Sequence, residues 1–265
     1  MYRDVSTAPS SAEIFDRAVD EGQRRLDQPL LELVSTSFIA GFTFVFGVVA
    51  LGIVESIVEP HFGEIARIAG SLAFAAGFVF LIVGRTELFN ENFADPVAAA
   101  VDEQGTWMLG PLARLWLVTL VFNLVGGFLF ALVFVVEGVL PTGTSEALRG
   151  FAEESVRRGL AAWFASAIAG GALVSLLSFL LVAVNSVRSR IWLAYAVGFL
   201  LALGPFDHVV VTALHLFLGV LFGAEVGLVT LGTMLAAITA GNFVGGIGLV
   251  AFTHVVQGIG ARESD

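Results

Sequence analysis

Apolar positions along this chain do not alternate with polar ones. They run in blocks of about 20 residues, the length at which a helix crosses a bilayer. Six blocks stand out, at about residues 31–58, 68–83, 112–136, 161–184, 191–222 and 226–256. The pattern predicts an all-α integral membrane protein with six transmembrane helices.

Two of the six are interrupted. The second ends in Gly84-Arg85-Thr86-Glu87-Leu88-Phe89-Asn90-Glu91-Asn92 and resumes weakly past Asp95-Pro96. The fifth is cut by Gly204-Pro205-Phe206-Asp207-His208 and resumes at Val209. Proline removes an N–H donor and clashes with the preceding turn, so the helix breaks there. Each resumed piece is too short to span alone. Non-helical backbone at membrane depth persists only where protein or a water-lined cavity covers it.

Landmarks recur in the two halves in the same order. Ser37-Phe38-Ile39-Ala40-Gly41 resembles Ser166-Ala167-Ile168-Ala169-Gly170, and Glu87 beside Phe89 answers Asp207 beside Phe206. Asn123-Leu124-Val125-Gly126-Gly127 answers Asn242-Phe243-Val244-Gly245-Gly246. The acid-to-Asn spacing is nearly equal in the two. Each half holds three segments, an odd number, so the repeats of about residues 30–136 and 160–258 are expected to lie inverted in the membrane. Inverted repeats with matched broken helices place a solute path at their interface near the midplane.

Ahead of the first block, Ser10 with Glu13 reads as a capping box, and Ile14, Phe15, Ala18, Val19 and Leu26 make one apolar face. Residues 1–29 are therefore expected to form an amphipathic cytoplasmic segment, with a transmembrane domain over 30–258 and a cytoplasmic tail over 259–265. The acidic start (Asp4, Glu13, Asp16, Asp20, Glu21) is the opposite of a secretory n-region. Placing both termini in the cytoplasm puts Arg24, Arg25, Arg114, Arg188, Arg190 and Arg262 on or near that side, in keeping with the positive-inside rule. The stretch of about 137–158 is then external and amphipathic.

Composition narrows the chemistry. Of 265 residues, 57% are hydrophobic and 14% charged, and mean hydropathy is +0.91. There is no cysteine, which excludes disulfides, thiolate catalysis and cysteine metal sites. There is also no lysine, which excludes a Schiff base. A net charge of −10 argues against nucleic acid as a partner. Neither G-x-S-x-G nor H-E-x-x-H occurs, so no enzyme is expected, and no cofactor or metal site.

Intramembrane ionisable residues are costly and read as functional by default. His208 stands first, because imidazole titrates near pH 7. Asp207 is expected to hold its second ring nitrogen or to cap the half-helix that follows. Arg85, Glu87 and Glu91 crowd the first interruption, where Arg85 is expected to pair with a carboxylate or to face an anion. Phe89 and Phe206 flank the interruptions and could narrow a pore. Asn123 and Asn242 read either as interhelical hydrogen-bonding residues or as pore-lining ones. His215 shares a helical face with His208.

These motifs resemble the formate/nitrite transporter family. Its broken second helix carries a G-x-E/D-L-F-T-type loop, here Gly84 to Asn92. Its broken fifth helix carries G-F-E/D-H, here Gly204-Pro205-Phe206-Asp207-His208. Its sixth carries G-N-x-x-G-G, here Gly241-Asn242-Phe243-Val244-Gly245-Gly246. The resemblance covers about residues 30–258. It implies an aquaporin-like fold, a homopentamer in the inner or plasma membrane, and one pore per protomer for a small monovalent anion. On it, His208 is the central pore histidine, and Leu88, Phe89 and Val174 form the cytoplasmic constriction. Phe206 helps form the external constriction, and Asn242 is a polar pore neighbour. Thr212 stands where Asn is common, Gly171 where Asn is often found, and no lysine precedes the fourth helix, though Arg157 and Arg158 do. The first loop is closer to an uncharacterised inner-membrane subgroup than to the formate channels.

An anion in low dielectric is heavily penalised, and protonation on the way removes the penalty. The expected activity is therefore passage of formate, nitrite or hydrosulfide, proton-linked through His208. The rivals are a channel for water, glycerol or ammonia on the same fold, and a non-transporting membrane sensor or scaffold.

Overall fold

The computed structural model describes residues 9–103 and 108–263. Among them helices account for nearly everything: α1 (Ser11–Leu26), α2 (Leu30–Phe62), α3 (Ile65–Val83), α4 (Ala94–Asp102), α5 (Leu109–Ala131), α6 (Thr144–Arg157), α7 (Leu160–Ala183), α8 (Val187–Leu203), α9 (Val209–Leu221), α10 (Leu228–Phe243) and α11 (Phe252–Arg262). A π-helical stretch, Val244–Ala251, joins α10 to α11 into one rod. Five of these rods are long and apolar enough to cross a bilayer: α2, α3, α5 with the 3₁₀ turn behind it, α7, and α10–α11. Their outward faces, and that of α8, carry Leu117, Leu129, Phe80, Trp192 and Phe252, all more than half exposed and suited to lipid.

Two helical paths are interrupted where proline and glycine predict it. After α3 the chain passes through extended Leu88 and a short 3₁₀ turn, Phe89–Asn92, before α4. After α8 it passes Gly204 to His208 before α9. Each half is thus built as a helix (α2 or α7), a broken pair (α3–α4 or α8–α9) and a closing helix (α5 or α10).

Close helix approach depends on missing side chains. A Cβ at Gly41 would overlap the carbonyl of Asn123, and one at Gly171 would overlap the carbonyl of Asn242. These two clashes pair Gly41 with Gly171, so the repeats are offset by one residue from the pentapeptide alignment read in the sequence. Backbone hydrogen bonds agree: Glu87 N donates to Thr36 O and Asp207 N to Ser166 O. Ser166 is therefore the counterpart of Thr36, not of Ser37. Two small-residue stripes can be slid by one position without losing their similarity, whereas a hydrogen bond cannot.

The capping box at Ser10 forms, with Glu13 N 3.2 Å from Ser10 Oγ and Ser10 N 2.8 Å from Glu13 Oε2. Beyond it, α1 lies across α4, α7 and α11 and buries Phe15, Ala18, Gly22, Arg25 and Leu26. α6 lies on the other face of the molecule, against α2 and α9.

Candidate functional site

The two interruptions are held by the same device. Asn123 accepts from Phe89 N at 3.0 Å and donates to Ser37 O at 2.8 Å and Glu87 O at 2.9 Å. Asn242 accepts from Val209 N at 2.9 Å and donates to Ala167 O and Asp207 O, both at 2.8 Å. Both amides are fully buried. Each has spent both of its N–H donors on backbone carbonyls, so neither has one left for a passing solute. Of the two readings open in the sequence, the hydrogen-bonding one describes both residues.

α7 runs past both interruptions. A Cβ on Gly170 would overlap Asp207 O, while Ser175 Oγ donates to Asn90 O at 3.1 Å. Five residues of helix separate these contacts, about 7.5 Å along the axis. Val174 lies between them, buried.

His208 is fully buried and caps α9. Its Nδ1 accepts from Val211 N at 3.4 Å, and its Nε2 has no partner among the described residues. Because an amide can only donate, Nδ1 is unprotonated and the neutral ring carries its proton on Nε2. Asp207 takes neither role expected of it. The cap is His208 itself, and Asp207 turns away to Arg158, whose Nη2 lies 2.7 and 2.8 Å from the two carboxylate oxygens. Ser166 Oγ donates to Asp207 as well, and Thr212 Oγ1 donates to it at 3.4 Å.

Arg85 departs from expectation too. It is exposed, has φ +52°, and makes no ion pair among the described residues. Its place explains this: it follows Gly84 at the end of α3, where Thr86 N returns to Leu81 O, and helices commonly end on a left-handed residue. The cation serving the first interruption is Arg25, reaching in from α1. Its Nη1 donates to Glu91 O at 2.8 Å and Asn92 Oδ1 at 3.0 Å, and it lies within 4 Å of Glu21, Glu87 and Asp95. Arg24 and Gln28 reach Glu87 Oε1 at 3.3 and 3.1 Å. In the sequence Arg25 looks like one more surface arginine. The signal was there, because it shares a helical face with Phe15, Ala18 and Gly22, where a charge is out of place.

The aromatic residues divide. Phe89 packs edge-on against Phe93 and Phe243, at 4.9 and 5.6 Å between ring centres, with Leu88 buried beside it. Phe206 is half-buried and borders a cavity of about 870 Å³ open on the α6 face. That cavity also meets Thr212, His215, six carboxylates (Glu55, Glu59, Glu64, Glu146, Glu154, Asp207) and three guanidiniums (Arg67, Arg157, Arg158). A smaller one of about 240 Å³ lies between α1 and the first interruption, and meets Arg24, Arg85, Arg190 and Glu87.

The chain is similar to known proteins in sequence and in fold. The profile of the formate/nitrite transporter family matches residues 12–256. Inner membrane protein YfdC of Escherichia coli (strain K12) is 25% identical over 214 residues, which is 80% of this chain and 68% of that protein. A protein of Methanothermobacter thermautotrophicus, described as a probable formate transporter, is 26% identical over 84% of this chain and 87% of its own. Among solved structures, an FNT family ion channel superposes with a TM-score of 0.79 at 16% identity, over 92% of this chain and 98% of that one. A pentameric formate channel with formate bound gives 0.73, also at 16%, over 87% and 98%.

Proposed function

Since this chain belongs to the formate/nitrite transporter family, a family of multi-pass membrane transport proteins and not of enzymes, we propose that it passes a small monovalent anion of the formate, nitrite or hydrosulfide type, or the conjugate weak acid, with His208 at the centre of the path. One observation carries the reading: a buried imidazole presents an unpartnered Nε2–H at the second interruption, which Asn242 holds in place as Asn123 holds the first. Such a donor meets an anionic oxygen midway across low dielectric, where a bare charge is most penalised. The positive end of α9, which starts at His208, adds to the attraction. A proton taken up from the aqueous phase at either mouth lets the solute pass apolar Leu88, Phe89, Val174 and Phe206 as a neutral species.

The same reading takes the chain as six membrane crossings, α8–α9 being the broken fifth, arranged as two inverted, aquaporin-like halves. It takes the α1 face, with both termini, as cytoplasmic. It takes five copies as the assembly, by analogy with the pentameric formate channel that shares the fold.

Flux into proteoliposomes tests it. Wild-type protein should pass formate and nitrite, and His208→Phe, which removes the N–H donor, should lower the rate of both at every pH across roughly 5–8. Equal rates for the two proteins reject His208 as the central group. Osmotic swelling with glycerol but no weak-acid flux would replace the reading with a neutral-solute channel.

A further inference from the structure

We infer that His215 is a second solute-binding residue, which accepts a hydrogen bond from the acidic proton of a neutral weak acid in the cavity on the α6 face. The inference rests on the reading above that a weak acid is the solute.

Its first support is the backbone of Val211, which touches both imidazoles. Val211 N donates to Nδ1 of His208 at 3.4 Å, and Val211 O pairs with Nδ1 of His215 at 3.0 Å. An amide can only donate and a carbonyl can only accept, so the neutral rings are held in opposite tautomers. His208 offers an Nε2–H, and His215 offers the lone pair of its Nε2. Both Nε2 atoms are buried and find no partner among the described residues. His215 is 3% exposed, with its ring stacked 4.2 Å from Phe151 of α6 and 6.2 Å from Phe74 of α3. An unmet acceptor between two aromatic walls costs free energy until a donor meets it.

The second support is where this acceptor lies. His215 borders the cavity of about 870 Å³ together with Phe206 and Asp207, which precede His208 in the chain, and Thr212, one turn after it. Seven residues of helix separate the histidines, about 10.5 Å along the axis. The third support is charge. Six carboxylates and three guanidiniums border the cavity, and one of each, Asp207 and Arg158, neutralise one another. The remaining excess is negative. It disfavours an anion at this mouth and leaves a neutral acid unopposed. Tautomer and field select together for a solute that brings a proton to donate. The deeper station, an N–H, suits the oxygen that has none.

Right-side-out and inside-out membrane vesicles containing wild type or His215→Phe, which keeps an aromatic ring and removes the acceptor, test the inference by formate uptake at fixed acidic pH. Entry from the α6 face should show a half-saturation raised about three- to tenfold, the factor one hydrogen bond is worth. Should the phenylalanine variant fail to assemble, His215→Leu removes the same acceptor. Unchanged half-saturation beside a conducting wild type overturns the role of His215. Wild type that passes no weak acid overturns the underlying reading instead. An effect on methylammonium uptake with none on formate assigns His215 to a cation, and also overturns the inference.

Discussion

Arg158 lies against Asp207 with one guanidinium nitrogen 2.7 Å from Oδ1 and 2.8 Å from Oδ2, closing the second interruption from the α6 face. Asp207 retains little exposure, so removing its cation strands a buried carboxylate. Arg158→Met is expected to lower stability by about 2 kcal/mol, below the full cost of a wholly buried pair because Arg158 is partly exposed. Asp207→Asn on that background should recover part of the loss. A double-mutant cycle on thermal unfolding in detergent checks both.

Asn242 joins α7, the second interruption and the start of α9 through three hydrogen bonds, as Asn123 does for the first half. Leucine at either position keeps the volume and orphans three backbone groups. Each variant should lose about 2 kcal/mol, since interhelical hydrogen bonds in membranes are individually modest. Similar losses for the two, read from unfolding midpoints, are the signature of a shared device.

Arg25 faces Glu87, Glu91 and Asp95, and shares Glu87 with Arg24. Arg25→Gln leaves only Arg24, at Glu87, to neutralise that cluster and should loosen α1 from the first interruption. The chain has no cysteine, so one cysteine placed at Ala18, buried in wild type, reports directly. Its labelling rate should rise about tenfold or more on the Arg25→Gln background, the effect expected when a buried pair is broken.

Glu21 makes one contribution to how the docking of α1 responds to pH. Burial raises its carboxyl, but the hydrogen bond from Arg24 and the charges of Arg25 and Arg24 outweigh this and hold it lowered to about 2. A pKa depressed on folding contributes stability above the unfolded value of 4.5, and loses it as pH falls toward about 2. The labelling rate at position 18, taken relative to a free thiol at the same pH, should therefore show no step from Glu21 between roughly pH 5 and 8, and should climb below about pH 4. In Glu21→Gln the acid-induced component from this residue should be gone.

Arg85 holds φ +52° without an ion pair, among the described residues, to compensate. Left-handed backbone costs a non-glycine residue about 1 kcal/mol. Arg85→Gly should raise thermal stability by up to about that amount. A fall in stability would show that the guanidinium makes a contribution larger than the strain.

Much of this is legible in the residues alone. Run length decides how far an apolar helix reaches, and Pro205 and the polar loop after Val83 stop a helix wherever the chain goes. Those are local properties, so five of the six expected long apolar rods, both interruptions and the capping box at Ser10 follow from neighbours in sequence. The Asn123 and Asn242 landmarks hold as well, because an isolated amide in an apolar helix must find partners.

Tertiary structure alone decided the partners of the charges and the register of the halves. Arg25 meets Asn92 across 67 residues, and Arg158 meets Asp207 across 49. Which arginine reaches which carboxylate depends on how helices cross, and charge composition carries no such information. That is why Arg85, near the acids in sequence, looks like their partner while Arg25 serves them in space. The opposite tautomers of His208 and His215 belong to the same class. The sequence places both rings on one helical face, but only folded coordinates set one Nδ1 against an N–H and the other against a carbonyl.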